Sequence, residues 1–225
     1  MKAGIVYTST TPELIADVNR EVKKQLGEDV EIFAQEDPSI LADVREAGYV
    51  TTAPAARLIG MYMKAMEEGC DAILNVCSSV GEVADSAQDV ARYTGVPIVR
   101  IDLEMCREAV RKGSRIGVMA TLPTTMNPTC NTIRRVAREF GKHVDIIECL
   151  VDGAFGLNQD DFKKRMAECA GKIASDVDVI VFAQGSMAYC EDYIAKMYGK
   201  IVLSSPRFGA AALKQALIEK GCMEA

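Results

Sequence analysis

The stretch ILNVCSSVGE, residues 73–82, carries an apolar strand directly into a helical pattern. Short β-branched runs alternating with longer helical periods are the mark of βαβ units and a parallel sheet. Outward from this segment the alternation covers the chain. Strands are predicted over 3–7, 30–33, 72–76 and 97–101, then over 115–120, 144–148, 178–182 and 201–204. Helices are predicted over 11–26, 55–68, 80–93, 128–140, 159–174, 187–197 and 208–220. Each half then holds four strands, with its largest gap between the second and third. The order of elements repeats, although the residues do not.

No Gly/Ser-rich linker separates the halves. The best boundary is the region 101–113, after the fourth strand and through a short helix. With the C-terminal helix returning to the first half, the expected domains are 1–101 plus 206–225, and 102–205. A cleft between two such domains is a common place for a ligand.

Composition narrows the classes. The 225 residues are 49% hydrophobic and 26% charged, as in ordinary globular proteins. No apolar run approaches the roughly 18 residues of a membrane span. The opening MKAGIVYTSTTPEL lacks the long apolar region and cleavage site of a signal peptide, so a cytoplasmic protein is expected. The net charge of −6 argues against nucleic acid as a partner, since phosphate neutralisation normally takes a basic face. Anions remain possible ligands wherever a few donors converge.

Eight cysteines include no CxxC pair, in a chain too long for a disulfide minidomain, so most are expected to be reduced and buried. The one histidine, His143, stands at the start of a predicted strand, opposite the carboxyl ends where parallel sheets place ligands. It is read as structural, and a multi-His zinc site is excluded. Neither a G-x-G-x-x-G after a strand nor a Walker-type loop occurs, so no dinucleotide or ATP is indicated.

The carboxyl ends of the strands hold the candidate chemistry. Thr8, Ser9 and Thr10 follow the first strand, and Thr121, Thr124 and Thr125 follow the fifth. Cys77, Ser78 and Ser79 follow the third, and Gln184, Gly185 and Ser186 the seventh. Four polar loops thus correspond between the halves. Cys77, at a strand end facing a helix N-terminus, is placed for a lowered thiol pKa and for work as base or nucleophile. The alternative is a buried cysteine beside two helix-capping serines. The hydroxyls either bind a small anion or cap the helices that follow. Gly185 and Ser186 either present N–H groups to an anion or form a turn. Arg207 is the best basic candidate for an acidic substrate, against the alternative of a surface residue. Glu82, Asp85 and Asp89 read as the polar face of the helix after Cys77.

YTSTTPEL after strand one, NVCSS, RIGVMATLPTT, FAQGSMA and SSPRFGAAALKQA occur in an order that resembles the aspartate/glutamate racemase superfamily. That superfamily includes amino-acid and hydantoin racemases, maleate isomerases and arylmalonate decarboxylases. The resemblance spans nearly the whole chain. It implies two pseudo-symmetric flavodoxin-like domains, each a four-stranded parallel sheet flanked by helices, with the active site in the interdomain cleft. It further implies a homo-oligomeric, cofactor-independent enzyme acting on a small anionic substrate. In such racemases two cysteines on opposite faces of a carbon beside a carboxylate or carbonyl remove and return a proton.

This sequence departs from the pattern. Gln184 stands where the second cysteine is expected, and the nearest thiol, Cys190, lies six residues on, inside the predicted helix. Glutamine donates hydrogen bonds but carries no proton near neutral pH. Three readings follow. One is a racemase or other isomerase working through Cys77, with water, Cys190 or another group as second donor. Another is a single-thiol decarboxylase or lyase. The third is a small-anion binding protein without catalysis.

Overall fold

The computed structural model describes residues 1–154 and 156–224; Ala225, the last residue of the expected first domain, lies outside them. The chain divides into two compact units, Met1–Ile101 with Pro206–Ala225, and Asp102–Ser205.

The first unit is a parallel sheet in the order β2-β1-β3-β4, from β1 (Lys2–Tyr7), β2 (Glu31–Glu36), β3 (Ala72–Val76) and β4 (Ile98–Arg100). Its helices are α1 (Pro12–Leu26), α2 (Pro38–Ala47), α3 (Thr52–Glu67), α4 (Gly81–Ser86) and α5 (Gln88–Thr94). A last helix, α10 (Ser205–Glu219), joins this unit from Pro206 onward. Every residue of β3 is buried, whereas none of edge strand β2 is, as expected for a centre and a rim.

Alternation along the central strands sends side chains into two separate apolar layers. Ala3, Ile5 and Tyr7 of β1, with Ala72, Leu74 and Val76 of β3, pack among residues of α1 and α10. Leu14, Val18, Val22 and Leu26 of α1 recur every four residues and form one face of that helix. Val6 and Ile73 point the other way, into a layer with Ile40, Leu58, Tyr62, Val80 and Ala84. Cys77 packs against this second layer.

The second unit repeats the arrangement in the order β6-β5-β7-β8. Its strands are β5 (Arg115–Ala120), β6 (Asp145–Leu150), β7 (Val179–Phe182) and β8 (Ile201–Leu203). Its helices are α6 (Leu103–Lys112), α7 (Pro123–Glu139), α8 (Gln159–Ile173) and α9 (Glu191–Tyr198). Met119, Ile180 and Phe182 meet Met166, Ala170, Ile173 and Ile194 in one layer. None of the described helices is long and apolar enough to cross a membrane.

Several elements differ from the sequence expectation, among them the helix expected over 187–197, which is a 3₁₀ turn, Gly185–Cys190, followed by α9. Helix α2 was not expected at all, yet Asp37 caps it through the Ser39 N–H, Pro38 opens it and Gly48 closes it in the left-handed region. Those are ordinary start and stop signals, overlooked because its apolar face is only three residues. The helix expected over 80–93 is a 3₁₀ turn, Ser78–Val80, followed by α4 and α5 joined at Ala87. Helix α7 begins at Pro123 and carries Pro128 inside it. Pro128 has no N–H for the Thr124 carbonyl, while the Thr129 hydroxyl donates to the Thr125 carbonyl at 2.9 Å.

Helix α10 approaches the end of β4 through Gly209. A Cβ there would lie 2.7 Å from Ile101 Cγ1 and 2.8 Å from its Cα. Alanine is the better helix former by about 1 kcal/mol, but this clash involves backbone. Gly209→Ala is therefore expected to destabilise the protein by about 1–3 kcal/mol. Urea denaturation followed by circular dichroism reads the change as a lower midpoint.

Candidate active site

In an open parallel sheet, ligands bind beyond the carboxyl ends of strands, where the strand order reverses direction. In the first unit that point lies between β1 and β3. Their register ends on Tyr7 opposite Val76, so the next residues out are Thr8 and Cys77. In the second unit β5 and β7 hold the same place. Met119 faces Phe182 there, and two residues further stand Thr121 and Gln184. Thr8 and Cys77 therefore correspond to Thr121 and Gln184. Cys77 and Gln184 also match locally: each is the extended residue preceding a 3₁₀ turn, at φ −160° and φ −119° respectively.

Gln184 is held from both ends of its amide. Its Nε2 donates to Thr121 Oγ1 at 2.7 Å, and its Oε1 accepts the Thr121 N–H at 2.6 Å. Each contact satisfies a polar group that would otherwise cost free energy when buried. The side chain is a fixed clamp across the ends of β5 and β7.

In the first unit the Thr8 hydroxyl makes no such closure among the described residues. Thr8 is fully buried, and its hydroxyl has no hydrogen-bond partner among the described residues. A buried hydroxyl left unmatched calls for an explanation, such as a ligand. The capping alternative does not apply to it, because Thr11 is the cap of α1 and accepts the Leu14 N–H at 3.2 Å. Thr10 is engaged differently: its hydroxyl donates to Glu36 at 2.7 Å. Ser9 lies half-buried between them.

Ser78 and Ser79 are both buried in the 3₁₀ turn after Cys77. Neither caps α4, whose N-cap position is Val80. In the second unit Leu122 occupies the N-cap of α7, so Thr121, Thr124 and Thr125 do not cap it. The Thr124 hydroxyl is buried without a hydrogen-bond partner among the described residues, and Thr125 is buried. Gly185 and Ser186 open a 3₁₀ turn that runs to Cys190. The long helix expected after Cys77 is a turn and six residues of α4, so fewer aligned peptide dipoles act on the thiol than the sequence suggested.

Cys190 is the last residue of its 3₁₀ turn, ahead of α9, and is wholly buried among Met187, Phe182 and Ile194. Burial pushes its thiol up to about 11. That environment is a hydrophobic core, poorly suited to proton exchange near neutral pH. His143 is exposed, and its Nε2 lies 3.2 Å from Asp145. The Arg207 guanidinium lies over the Phe208 ring, 4.6 Å from its centre.

Sequence reasoning missed a buried polar group behind Cys77. Asn75, Cys77 and Arg100 project from the same face of the first sheet, since Asn75 stands two residues before Cys77 and opposite Arg100. The Tyr62 hydroxyl donates to Asn75 Oδ1 at 2.9 Å, and Asn75 Nδ2 donates to the Cys77 carbonyl at 3.0 Å. Arg100, 3% exposed, pairs with Asp85 at 2.6 Å. Asp85 is therefore more than polar helix surface. The available signals were Asn75 inside ILNV and Arg100 inside PIVRID, polar residues in strands otherwise apolar on both faces.

Comparison with known proteins agrees with this architecture. Residues 4–213 match the family model described as Asp/Glu/Hydantoin racemase. A comparison with curated proteins finds no significant match. Among solved structures, glutamate racemase from Bacillus anthracis is similar at a TM-score of 0.72 and 16% identity, over 97% of this chain and 82% of that one. Allantoin racemase from Klebsiella pneumoniae is similar at a TM-score of 0.66 and 14% identity, over 98% and 89%. An unliganded arylmalonate decarboxylase is similar at a TM-score of 0.61 and 13% identity, over 96% and 92%. At these identities the structural likeness establishes the fold, and the family match carries the assignment: the chain belongs to the Asp/Glu/Hydantoin racemase family.

Proposed function

We propose that this protein is a cofactor-independent isomerase that moves a proton at the carbon next to a carboxylate in a small, amino-acid-like anion, with Cys77 as its acid/base. The observation that carries the reading is the pairing of Cys77 with Thr8. A half-buried thiol follows β3 at the point where strand order reverses, beside a buried hydroxyl with no hydrogen-bond partner among the described residues. The racemases similar to this chain supply the reaction class.

In the proposed step the Cys77 thiolate takes the α-proton and becomes a thiol. The electron pair of the broken C–H bond spreads into the adjacent carboxylate. Hydroxyl and N–H donors of the strand-end loops around Cys77, from Thr8, Ser9, Thr10, Ser78 and Ser79, stabilise the resulting enediolate. Return of the proton to carbon restores the thiolate. Inversion takes a proton from water on the opposite face, since Cys190 is held in a core, and the hydroxide left behind recovers the proton of the Cys77 thiol. A cytoplasmic location and a homo-oligomeric state belong to the same reading.

A second reading is favoured by one observation. Gln184, clamped by Thr121, fills the second acid/base position with a group that does not ionise. A decarboxylase needs only one proton donor. The bond from the α-carbon to a carboxylate breaks and CO₂ leaves with its electron pair left on carbon. The Cys77 thiol then protonates that carbanion, and solvent reprotonates the thiolate.

The test is incubation in D₂O with amino acids, hydantoins and substituted malonates, followed by proton NMR and chiral chromatography. Deuterium at the α-carbon with inversion is the expected outcome. Cys77→Ala is expected to lower the rate by about 10²–10⁴-fold, the usual weight of a general acid/base. Deuterated product with release of CO₂ would replace the isomerase by the decarboxylase. Turnover unchanged in Cys77→Ala would end both readings. Gln184→Ala is expected to leave exchange dependent on Cys77 in the same assay.

A further inference from the structure

The charge environment of Cys77 is built from behind. Alternation along β3 and β4 puts Asn75, Cys77 and Arg100 on one face, against the layer that contains Tyr62. Asn75 grips the backbone of Cys77 through its carbonyl, as described above. Arg100 holds the following turn. The Gly81 N–H bonds the Ser78 carbonyl, which makes Gly81 the junction between the 3₁₀ turn and α4. A Cβ on Gly81 would lie 2.5 Å from both Cζ and Nη2 of Arg100. The guanidinium is thus pressed flat against the backbone of the turn that begins at Cys77. Its side chain is 2% exposed, and its Nη1 meets Asp85 Oδ2 of α4 at 2.6 Å.

A cation in this position costs desolvation, which the Asp85 carboxylate helps to offset. Most apolar strands avoid that cost by placing a hydrophobic residue there. Among the described residues, Tyr62 of α3, Asp85 of α4 and Arg100 of β4 face the turn from the elements packed on this side. Glu82, also on α4, is exposed. Burial is the main reason that the Tyr62 hydroxyl titrates above its ordinary range. Charge at Cys77 and Asp85 pushes it the same way and Arg100 pushes it back, so each of the three lies near Tyr62. A neutral Tyr62 leaves Arg100 as the one positive charge in this set.

Resting on the reading of Cys77 as an acid/base, we propose that Arg100 and Asp85 are positioning residues that set the ionisation of the Cys77 thiol. Arg100 favours the thiolate and seats the turn against Gly81; Asp85 orients the guanidinium and moderates its charge. This does the work that a long helix dipole would have done, since only a short turn and α4 follow Cys77. Neither residue is required to touch the substrate.

The experiment reads the thiol directly and needs no substrate. The full-length protein is alkylated with iodoacetamide across pH 5–10, and modification of the Cys77 peptide is quantified by mass spectrometry. Circular dichroism checks that each variant is folded. Arg100→Gln is expected to raise the Cys77 midpoint by about one pH unit, leaving about tenfold less thiolate below both midpoints. Arg100→Lys keeps the charge and is expected to recover at least half of that shift. Asp85→Asn removes the opposing charge and is expected to lower the midpoint. Opposite signs for Arg100→Gln and Asp85→Asn support the proposal. Shifts of the same sign, or none, would overturn it, because loss of packing alone has no reason to reverse sign with charge. Should Arg100→Gln not fold, the direction of Asp85→Asn decides: downward supports, and unchanged or upward overturns. The isomerase reading stands or falls separately, in the D₂O experiment.

Discussion

The register in which β1 and β3 pair governs every candidate group in the first unit. Side chains alternate across a strand with a period of two, so a slip of one residue would move a whole set to the other face. With Tyr7 opposite Val76, the slots just beyond the sheet go to Thr8 and Cys77. The same register puts Asn75 behind the thiol, where it reaches the Cys77 carbonyl. β3 is apolar on both sides apart from Asn75, and two separate hydrophobic layers hold it in this position. Burial of those layers is what makes a one-residue error unfavourable.

Both units use this construction, but they finish it differently. In the second, Gln184 is long enough to span to Thr121 and close the strand ends with two hydrogen bonds. In the first, the shorter Cys77 leaves the Thr8 hydroxyl unmatched. One end is satisfied internally, and the other retains a thiol and an open hydrogen-bonding capacity. The difference follows from side-chain length and chemistry at one position in each unit. It is also why a mechanism with two equivalent thiols does not transfer simply to this chain.

The buried cation adds a second asymmetry. Arg100 lies against Gly81 and meets Asp85, so the turn carrying Cys77, Ser78 and Ser79 rests on a charged support. The cores elsewhere consist almost wholly of aliphatic side chains, alanine, cysteine and methionine. A charge is retained in such surroundings only when it is paired.

The parallel α/β class was legible from the chain alone, because period-two and period-3.6 patterns depend on local burial and survive without coordinates. The strands at 72–76 and 115–120 were bounded correctly, since apolar runs there meet polar turns. The polar loops at the strand ends and the absence of a cysteine at position 184 could also be read directly. Helix α2 escaped because its capping signals flank a weak apolar face. The helix after Cys77 was read as continuous because nothing local in VGEVADSAQDVARY marks the break at Ala87. Asp85 looked like solvated surface, since its partner lies 15 residues away on another element. Likewise Gln184 and Thr121 are 63 residues apart. Sequence determined which residues stand at the ends of the strands, because that is a local property of pattern and turn. Only the tertiary structure decided which of them are clamped, left unmatched or placed against a buried charge, because those states depend on strand register and on helices packing across the sheet.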